Sequence, residues 1–474
     1  MSAPRFTAEE LREATRGRWL AGARPSGPAP RPPSSVEGVS TDTRKPMAGA
    51  CFVALRGERF DGHDFLAEAA RAAAACAVVA ESRAEALPGT GLPLLAVPDT
   101  LAALGALARW HRNRFRIPLV AVTGSNGKTT TREMVAGILA ARGPVLKSEG
   151  NLNNEVGVPL TLFGLAPEHQ AAVVEMGMSH PGEIARLAAI AEPQVGVVTN
   201  AGPAHLEGMG SIDAVADAKG ELYLGLSPGG IAVASADDAR MLRRAQASGR
   251  HLITFARGRG RRGDVVVLET VSHGEDGLCF LLGIGNRELT VRLSLVGEHN
   301  AQNAAAAAAA AVALGCSDKE IVTGLASVRP VGRRLRLERL ASGVFLVDDC
   351  YNANPLSMGA ALDTLRALAA ARGGRPVAVL GDMLELGAAE AASHGELGAA
   401  AARAGLGWLA AFGPRSRATA EAARTGGLAG DAAFHTEDLA ALTAFVKERL
   451  RPGDVLLVKG SRGMKLERLV EALH

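Results

Sequence analysis

From residue 119 onward, apolar runs of strand length alternate with stretches whose apolar residues recur at helical spacing. The runs 119–122, 171–175, 195–199 and 231–234 predict a mainly parallel sheet covered by helices. A second series, 344–347, 376–380, 408–412 and 455–458, has each run ending in a polar or glycine-rich turn and predicts a further, doubly wound domain. Before residue 100 the runs are shorter, separated by polar loops, and interrupted by a proline-rich stretch from Pro25 to Pro33. A helical pattern over 101–116 stops at Ile117-Pro118, where the residue before proline is biased against helix, so a boundary is expected near 115. The expected fold is α/β with three domains, at 1–115, 116–328 and 329–474. Eight consecutive alanines, 304–311, resemble low complexity, but flanking Val312 and Leu314 suit a closely packed helix.

Length supports that division, since 474 residues exceed one core and the usual domain size of roughly 150 residues gives about three. Hydrophobic residues make up 47% and charged ones 21%, and no apolar run reaches the roughly 18–20 residues of a membrane span. A soluble chain is expected, and the N-terminal residues, with no continuous apolar segment, point to the cytoplasm. Five scattered cysteines form neither a paired framework nor a metal spacing, so reduced thiols are expected. A net charge of +3, from 52 basic and 49 acidic residues, gives no field for nucleic acid. The short run from Arg257 to Gly263 lacks base-stacking aromatics and reads as a solvated turn.

The densest chemistry lies at 120–130, where an apolar run enters Gly124-Ser125-Asn126-Gly127-Lys128-Thr129-Thr130 and then a helix. Backbone N–H groups and the positive helix end would converge on phosphate oxygens, with Lys128 a point charge and Thr129 a hydroxyl for Mg²⁺. The two glycines are separated by two residues instead of the usual four, so the generic ATPase pattern fits imperfectly.

Other polar groups fall near the carboxyl ends of the expected strands. Residues 151–159 gather three amides and a carboxylate, suited to a ligand or to a capped turn. Glu175 closes a buried run and is a natural Mg²⁺ ligand. His205 follows the next run and is as readily structural as functional, while Lys219 by itself reads as a solvated helix lysine. Residues 297–303 offer amides that read a purine edge or cap the alanine helix. Residues 348–355 place two carboxylates, a phenol and two amides before a proline, suited to ribose and base. Residues 459–464 repeat the strand-to-helix logic and, with Lys459 and Arg462, would receive a carboxylate.

Taken in order, Thr-Gly-Ser-Asn-Gly-Lys-Thr-Thr, Asn-Leu-Asn-Asn-Glu-Val-Gly-Val-Pro, Val-Thr-Asn-Ala-Gly-Pro-Ala-His-Leu-Glu, Ala-Lys-Gly-Glu, His-Asn-x-x-Asn, Tyr-Asn-Ala-Asn-Pro, Gly-Asp-Met-Leu-Glu-Leu-Gly and Lys-Gly-Ser-Arg-Gly-Met resemble the Mur ligases, from about residue 36 to the C-terminus. The family's phosphate-loop pattern accounts for the short glycine spacing. The resemblance implies a small α/β N-terminal domain holding a UDP-sugar, a central P-loop ATPase domain, and a Rossmann-like C-terminal domain that binds the amine and closes on the nucleotide.

It implies an ATP- and Mg²⁺-dependent ligase using two metal ions. The segments at 351–355 and 381–387 point to the member acting on UDP-N-acetylmuramoyl-tripeptide and D-alanyl-D-alanine. Ser40, Thr41, Asp42, Arg44, Arg59, Asp61 and His63 would face the UDP portion. Asn153, Asn154 and Glu155 would lie near substrate or metal, and Asn352, Lys459, Ser461 and Arg462 would meet substrate. The loop 124–130, Asn303, Arg334 in preference to Arg333, and Asp349 would bind ATP. Thr129, Glu175, His205 and a carbamylated Lys219 would serve the metal, with Lys128, Lys219, His205 and Glu175 the catalytic set. Cys350 stands where the family commonly has serine, so no hydroxyl role follows there. A monomer is expected. The competing expectations are a sibling ligase adding another amino acid, a P-loop ATPase switch, and a non-catalytic nucleotide-binding protein.

Overall fold

Buried β-rich runs become strands because a parallel sheet with helices on its faces leaves no solvated side, and the computed structural model, which describes residues 3–20, 30–84 and 91–474, follows that rule. Residues 25–29 of the proline-rich stretch lie outside the described residues. The chain forms two compact units. One comprises Met1–Ala121, Arg142–Gly177 and Glu183–Gln194, and the other Val122–Ala141, Met178–Gly182 and Val195–His474.

In the first unit, the strands Arg18–Trp19, Leu94–Val97, Cys76–Ala80, Cys51–Val53 and Val39–Ser40 form a sheet in that spatial order. The first pairing is antiparallel and the rest are parallel. The helix expected over 101–116 runs from Thr100 to Arg112, capped by the Asp99 side chain on the N–H groups of Leu101 and Ala102. The strand Ala171–Glu175 pairs in parallel with Val145–Lys147.

In the second unit, Val195–Val198, Ile231–Ser235, His251–Arg257 and Val265–Ser272 are successive parallel neighbours. The sheet then continues antiparallel through Leu278–Ile284 and Arg287–Leu293, which the apolar-run reading does not contain. The alanine helix, His299–Ala313, is packed as expected, with every residue from Ala304 to Ala311 fully buried.

Its second sheet has the order Arg336–Arg339, Phe345–Asp349, Val455–Lys459, Pro376–Gly381, Trp408–Phe412, Ala433–Thr436, parallel after an antiparallel first pair. Val455–Lys459 thus sits between strands that precede it in the chain, which creates a switch in strand order at Asp349, Lys459 and Gly381. Separate apolar clusters fill the two faces, one including Leu362, Leu365 and Leu397, the other Leu442, Val446 and Leu469.

Candidate active site

The phosphate loop leaves the buried strand Leu119–Thr123 and enters the helix Lys128–Leu139. Gly127 caps that helix with φ +79°, a left-handed backbone, and any Cβ there would overlap Asn303 Oδ1. A Cβ at Gly124 would overlap Thr199 Oγ1. The Asn200 amide clamps the peptide at Asn126, accepting from its N–H at 3.0 Å and donating to its carbonyl at 3.1 Å. Ser125 Oγ donates to the Gly202 carbonyl at 3.0 Å and accepts from its N–H at 2.9 Å. Lys128 Nζ donates back to the Gly124 carbonyl at 2.7 Å. The loop is therefore held in place by its neighbours and runs into a helix N-terminus, an arrangement suited to phosphate.

Lys219 corrects the reading of a solvated helix lysine. It lies in the helix Ile212–Leu224 with 2% exposure, and among the described residues no hydrogen-bond or ion-pair partner meets its amine. Burial pushes its pKa well down, and the nearby Lys128 charge adds to the effect, so the charged form is disfavoured. A lone helix lysine in sequence gives no sign of this.

His205 stands on a left-handed backbone at φ 57°, ahead of the short helix Leu206–Met209. Its Nδ1 is 2.6 Å from Glu385 Oε2, and the Glu207 N–H donates to the Glu385 carbonyl at 3.1 Å. Glu385, at φ 64°, belongs to the 381–387 segment, which Asp382 fixes by accepting from Ser416 N–H at 2.8 Å and Oγ at 2.6 Å. In the other unit, Glu175 is buried, with Asn153 Nδ2 donating to its Oε1 at 2.8 Å and its N–H donating to Ser148 Oγ at 3.0 Å. Asn154 Oδ1 accepts from the Gly157 N–H at 2.8 Å, at the start of the helix Gly157–Leu162, and Glu155 pairs with Arg186.

A cleft beside the phosphate loop is lined by Thr129, Thr130, Asn300, Val331 and Arg334. Asn300 and Asn303 lie inside the alanine helix and so do not cap it. They form a buried chain in which Asn303 Nδ2 donates to Asn300 Oδ1 at 3.0 Å and Asn300 Nδ2 to the Val296 carbonyl at 2.7 Å. The two arginine candidates separate cleanly. Arg333 is spent on Asp348 at 2.8 Å and Glu471 at 3.0 Å, whereas Arg334 stacks over Tyr351, 4.0 Å from the ring centroid, and faces the cleft.

Arg462 lies over the same ring at 5.4 Å, and Asn352 is exposed. Asp349 Oδ2 accepts from Lys459 Nζ at 2.7 Å and its Oδ1 from the Leu335 N–H at 3.1 Å. Lys459, 3% exposed, is thereby committed to Asp349 and to the Asn352 carbonyl, and residues 462–464 form one 3₁₀ turn. Both findings correct the expectation of a helix-start carboxylate receptor with a presented lysine. Ser461 Oγ accepts from the Leu384 N–H at 3.0 Å. Burial pushes the Cys350 thiol well up, so it is an inert neutral group here.

Among the expected UDP contacts, His63 is buried and both ring nitrogens serve the fold. Its Nδ1 meets Asp61 at 2.5 Å and its Nε2 accepts from the Ala80 N–H at 2.9 Å, so it offers no further polar atom. Asp61 also accepts from the His63 N–H, while Arg59 is exposed. Asp42 is bound bidentately by Arg44 at 2.8 and 2.9 Å, which holds its carboxyl down at about 2. Ser40 Oγ accepts from the Asp42 N–H across Thr41 at 3.2 Å.

Three family descriptions match successive stretches: the Mur ligase family catalytic domain at 35–112, the Mur ligase middle domain at 122–311, and the Mur ligase glutamate ligase domain at 333–462. The UDP-N-acetylmuramoyl-tripeptide–D-alanyl-D-alanine ligase of Escherichia coli strain K12 is 40% identical over 93% of this chain and 94% of its own. The chain belongs to the Mur ligase family. The Bacillus subtilis strain 168 ligase of the same description is 37% identical over 92% of this chain and 93% of its own. Crystal structure I of MurF from Acinetobacter baumannii superposes with TM-score 0.88 at 35% identity, covering 100% of this chain and 99% of that one. MurF from Thermotoga maritima in complex with ADP gives 0.79 at 29% identity, covering 92% and 96%. This Mur ligase therefore has the family's α/β architecture with mainly parallel sheets. Two features that motif reading did not single out are the Glu385 contact to His205 and the arginine pair on Tyr351.

Proposed function

We propose that this chain is an ATP-dependent ligase that joins D-alanyl-D-alanine to UDP-N-acetylmuramoyl-tripeptide, giving the UDP-linked pentapeptide, ADP and phosphate in cytoplasmic peptidoglycan precursor synthesis. The observation that carries the reading is the locked phosphate loop, with Gly127 closed on Asn303, beside a buried Lys219 that feels the Lys128 charge. The ligases that share about two-fifths of its sequence over nearly its whole length support the same reading.

A carboxylate is a poor electrophile, so it must first gain a better leaving group. A carboxylate oxygen of the tripeptide attacks the γ-phosphorus, the bond to the β-phosphate bridging oxygen breaks, and ADP leaves. Lys128, the loop N–H groups and the helix N-terminus offset the negative charge that spreads over the phosphoryl oxygens. The dipeptide amine then attacks the acyl carbon, the C–O bond to phosphate breaks, and the nitrogen loses a proton. Water must be kept out until the amine arrives, because the acyl phosphate hydrolyses.

No cluster of three or more His, Cys, Asp or Glu gathers among the described residues. Mg²⁺ keeps several waters and binds through one or two carboxylates and substrate phosphates. Thr129, His205 and a Lys219 carbamate would hold it in the second unit, and it would neutralise phosphate charge when bound. The uncharged form of the Lys219 amine adds to CO₂ with loss of a proton, forming an anion that the nearby Lys128 charge favours.

In this reading residues 1–115 hold the UDP-sugar, 116–328 bind ATP, and 329–474 bind the amine and close on the nucleotide. Asn303, Arg334 and Asp349 contact the nucleotide, and the enzyme acts as a monomer. The test is incubation with ATP and Mg²⁺, with and without each substrate. Phosphate release that requires both substrates supports the ligase, and release independent of both replaces it with an ATPase switch.

A further inference from the structure

The phosphate loop is touched from a residue 228 positions away. Asn126 has its peptide clamped by Asn200, while its side-chain Oδ1 accepts from Asn354 Nδ2 at 2.8 Å. Asn354, 8% exposed, is also the N-cap of the helix Pro355–Arg372. Its Oδ1 accepts from the Ser357 N–H at 2.9 Å, and Ser357 Oγ accepts from the Asn354 N–H at 3.0 Å. One amide therefore serves two masters: its oxygen starts an 18-residue helix and its nitrogen holds the loop. Flipping the amide would break both bonds, and among the short side chains that cap helices only asparagine carries an acceptor and a donor on separate atoms of one fork.

A second contact lies alongside. Leu356 packs so closely on Gly202 that a Cβ there would overlap its Cδ1, and Gly202 is the residue that exchanges hydrogen bonds with Ser125 Oγ. The start of this helix thus bears on two adjacent residues of the loop, directly at Asn126 and through Gly202 at Ser125.

We propose that Asn354 is a positioning residue that makes the ATP-ready shape of the phosphate loop and the seating of the helix Pro355–Arg372 a single event. It rests on the reading of the loop as the ATP site. Any free energy by which the seated helix favours the loop shape that ATP selects must appear reciprocally, with ATP favouring the seated helix. The helix begins in the Tyr-Asn-Ala-Asn-Pro segment, its N-cap Asn354 two residues beyond exposed Asn352, so the same event orders the residues expected to meet substrate.

The test uses the full chain and three variants. Asn354→Ser keeps a capping hydroxyl but is too short to reach Asn126, Asn126→Ala removes the acceptor, and the third combines them. Calorimetry measures ATP binding, steady-state kinetics separates KM for ATP from kcat, and hydrogen exchange follows amides 356–360 with and without ATP. Each single change is expected to weaken ATP binding roughly 3- to 10-fold, the size of one buried hydrogen bond, with KM rising more than kcat falls. The double variant is expected to be no weaker than the worse single, and the ATP-induced protection at 356–360 is expected to be lost. Singles within twofold of the parent, or effects that multiply in the double variant, overturn the coupling. Lys128→Ala is the separate control. If it binds ATP like the parent, the loop is not the ATP site, whereas loss there with an inert Asn354→Ser removes only the coupling.

Discussion

His205 and Glu385, 180 residues apart, meet at 2.6 Å, each on a left-handed backbone that side chains other than glycine's rarely adopt. Such strain costs on the order of 1–3 kcal/mol and persists where the surroundings over-determine it. Glu385→Gly relieves the backbone and removes the carboxylate together. The thermal midpoint is expected to hold or rise while kcat/KM falls roughly 5- to 10-fold, since a charge-assisted bond to His205 is lost. Unchanged turnover in this variant would make the contact purely structural.

Lys219 is a buried amine with no counter-charge among the described residues. Preparing the enzyme in ¹³C-bicarbonate is expected to give a carbamate carbon signal that is absent from Lys219→Ala. That variant is expected to lose roughly 10- to 100-fold or more in turnover, the range for groups that support a metal site. Full activity in Lys219→Ala would contradict the assignment.

Gly127→Ala puts a methyl group onto Asn303 Oδ1 at a left-handed residue. The expected result is loss of ATP binding by at least about 100-fold, with a stability loss of about 1–3 kcal/mol. Asn303→Ala in the same chain is expected to restore part of the stability but not the binding, because space returns while the backbone strain remains. Titration calorimetry and urea unfolding read the two effects separately.

Burial pushes His299 down to about 4, with Asp349 opposing and Lys459 and Arg257 adding to the shift. Its ordinary value is 6.5, so the unfolded chain binds the proton more readily. This contribution to stability is complete above about pH 6.5 and is lost as pH falls toward 4. Between pH 7 and 5 the urea midpoint is expected to fall less in His299→Gln than in the parent. Parallel falls would show that His299 does not titrate in this window.

The parallel strands were legible because runs such as 408–412 and 455–458 are buried on both faces and need no alternation. The strands Leu278–Ile284 and Arg287–Leu293 carried a different signal, alternating burial about a Gly285-Asn286 turn, which a search for continuous apolar runs passes over. The phosphate loop announced itself because its chemistry is local. Lys219 did not, since burial of a charged residue depends on surroundings far away in sequence. Lys459 resembled a presented lysine only until Asp349, 110 positions earlier, claimed its charge. Arg333 and Arg334 are adjacent and chemically alike, and only Asp348 and Tyr351 tell them apart.

Oxygen-18 in the terminal carboxylate of the tripeptide tests the acyl phosphate most directly. Following the label by mass spectrometry during turnover with ATP and D-alanyl-D-alanine, each amide formed is expected to deliver one ¹⁸O to the released phosphate and keep the other. Phosphate released without label, at the rate the amide forms, would contradict it.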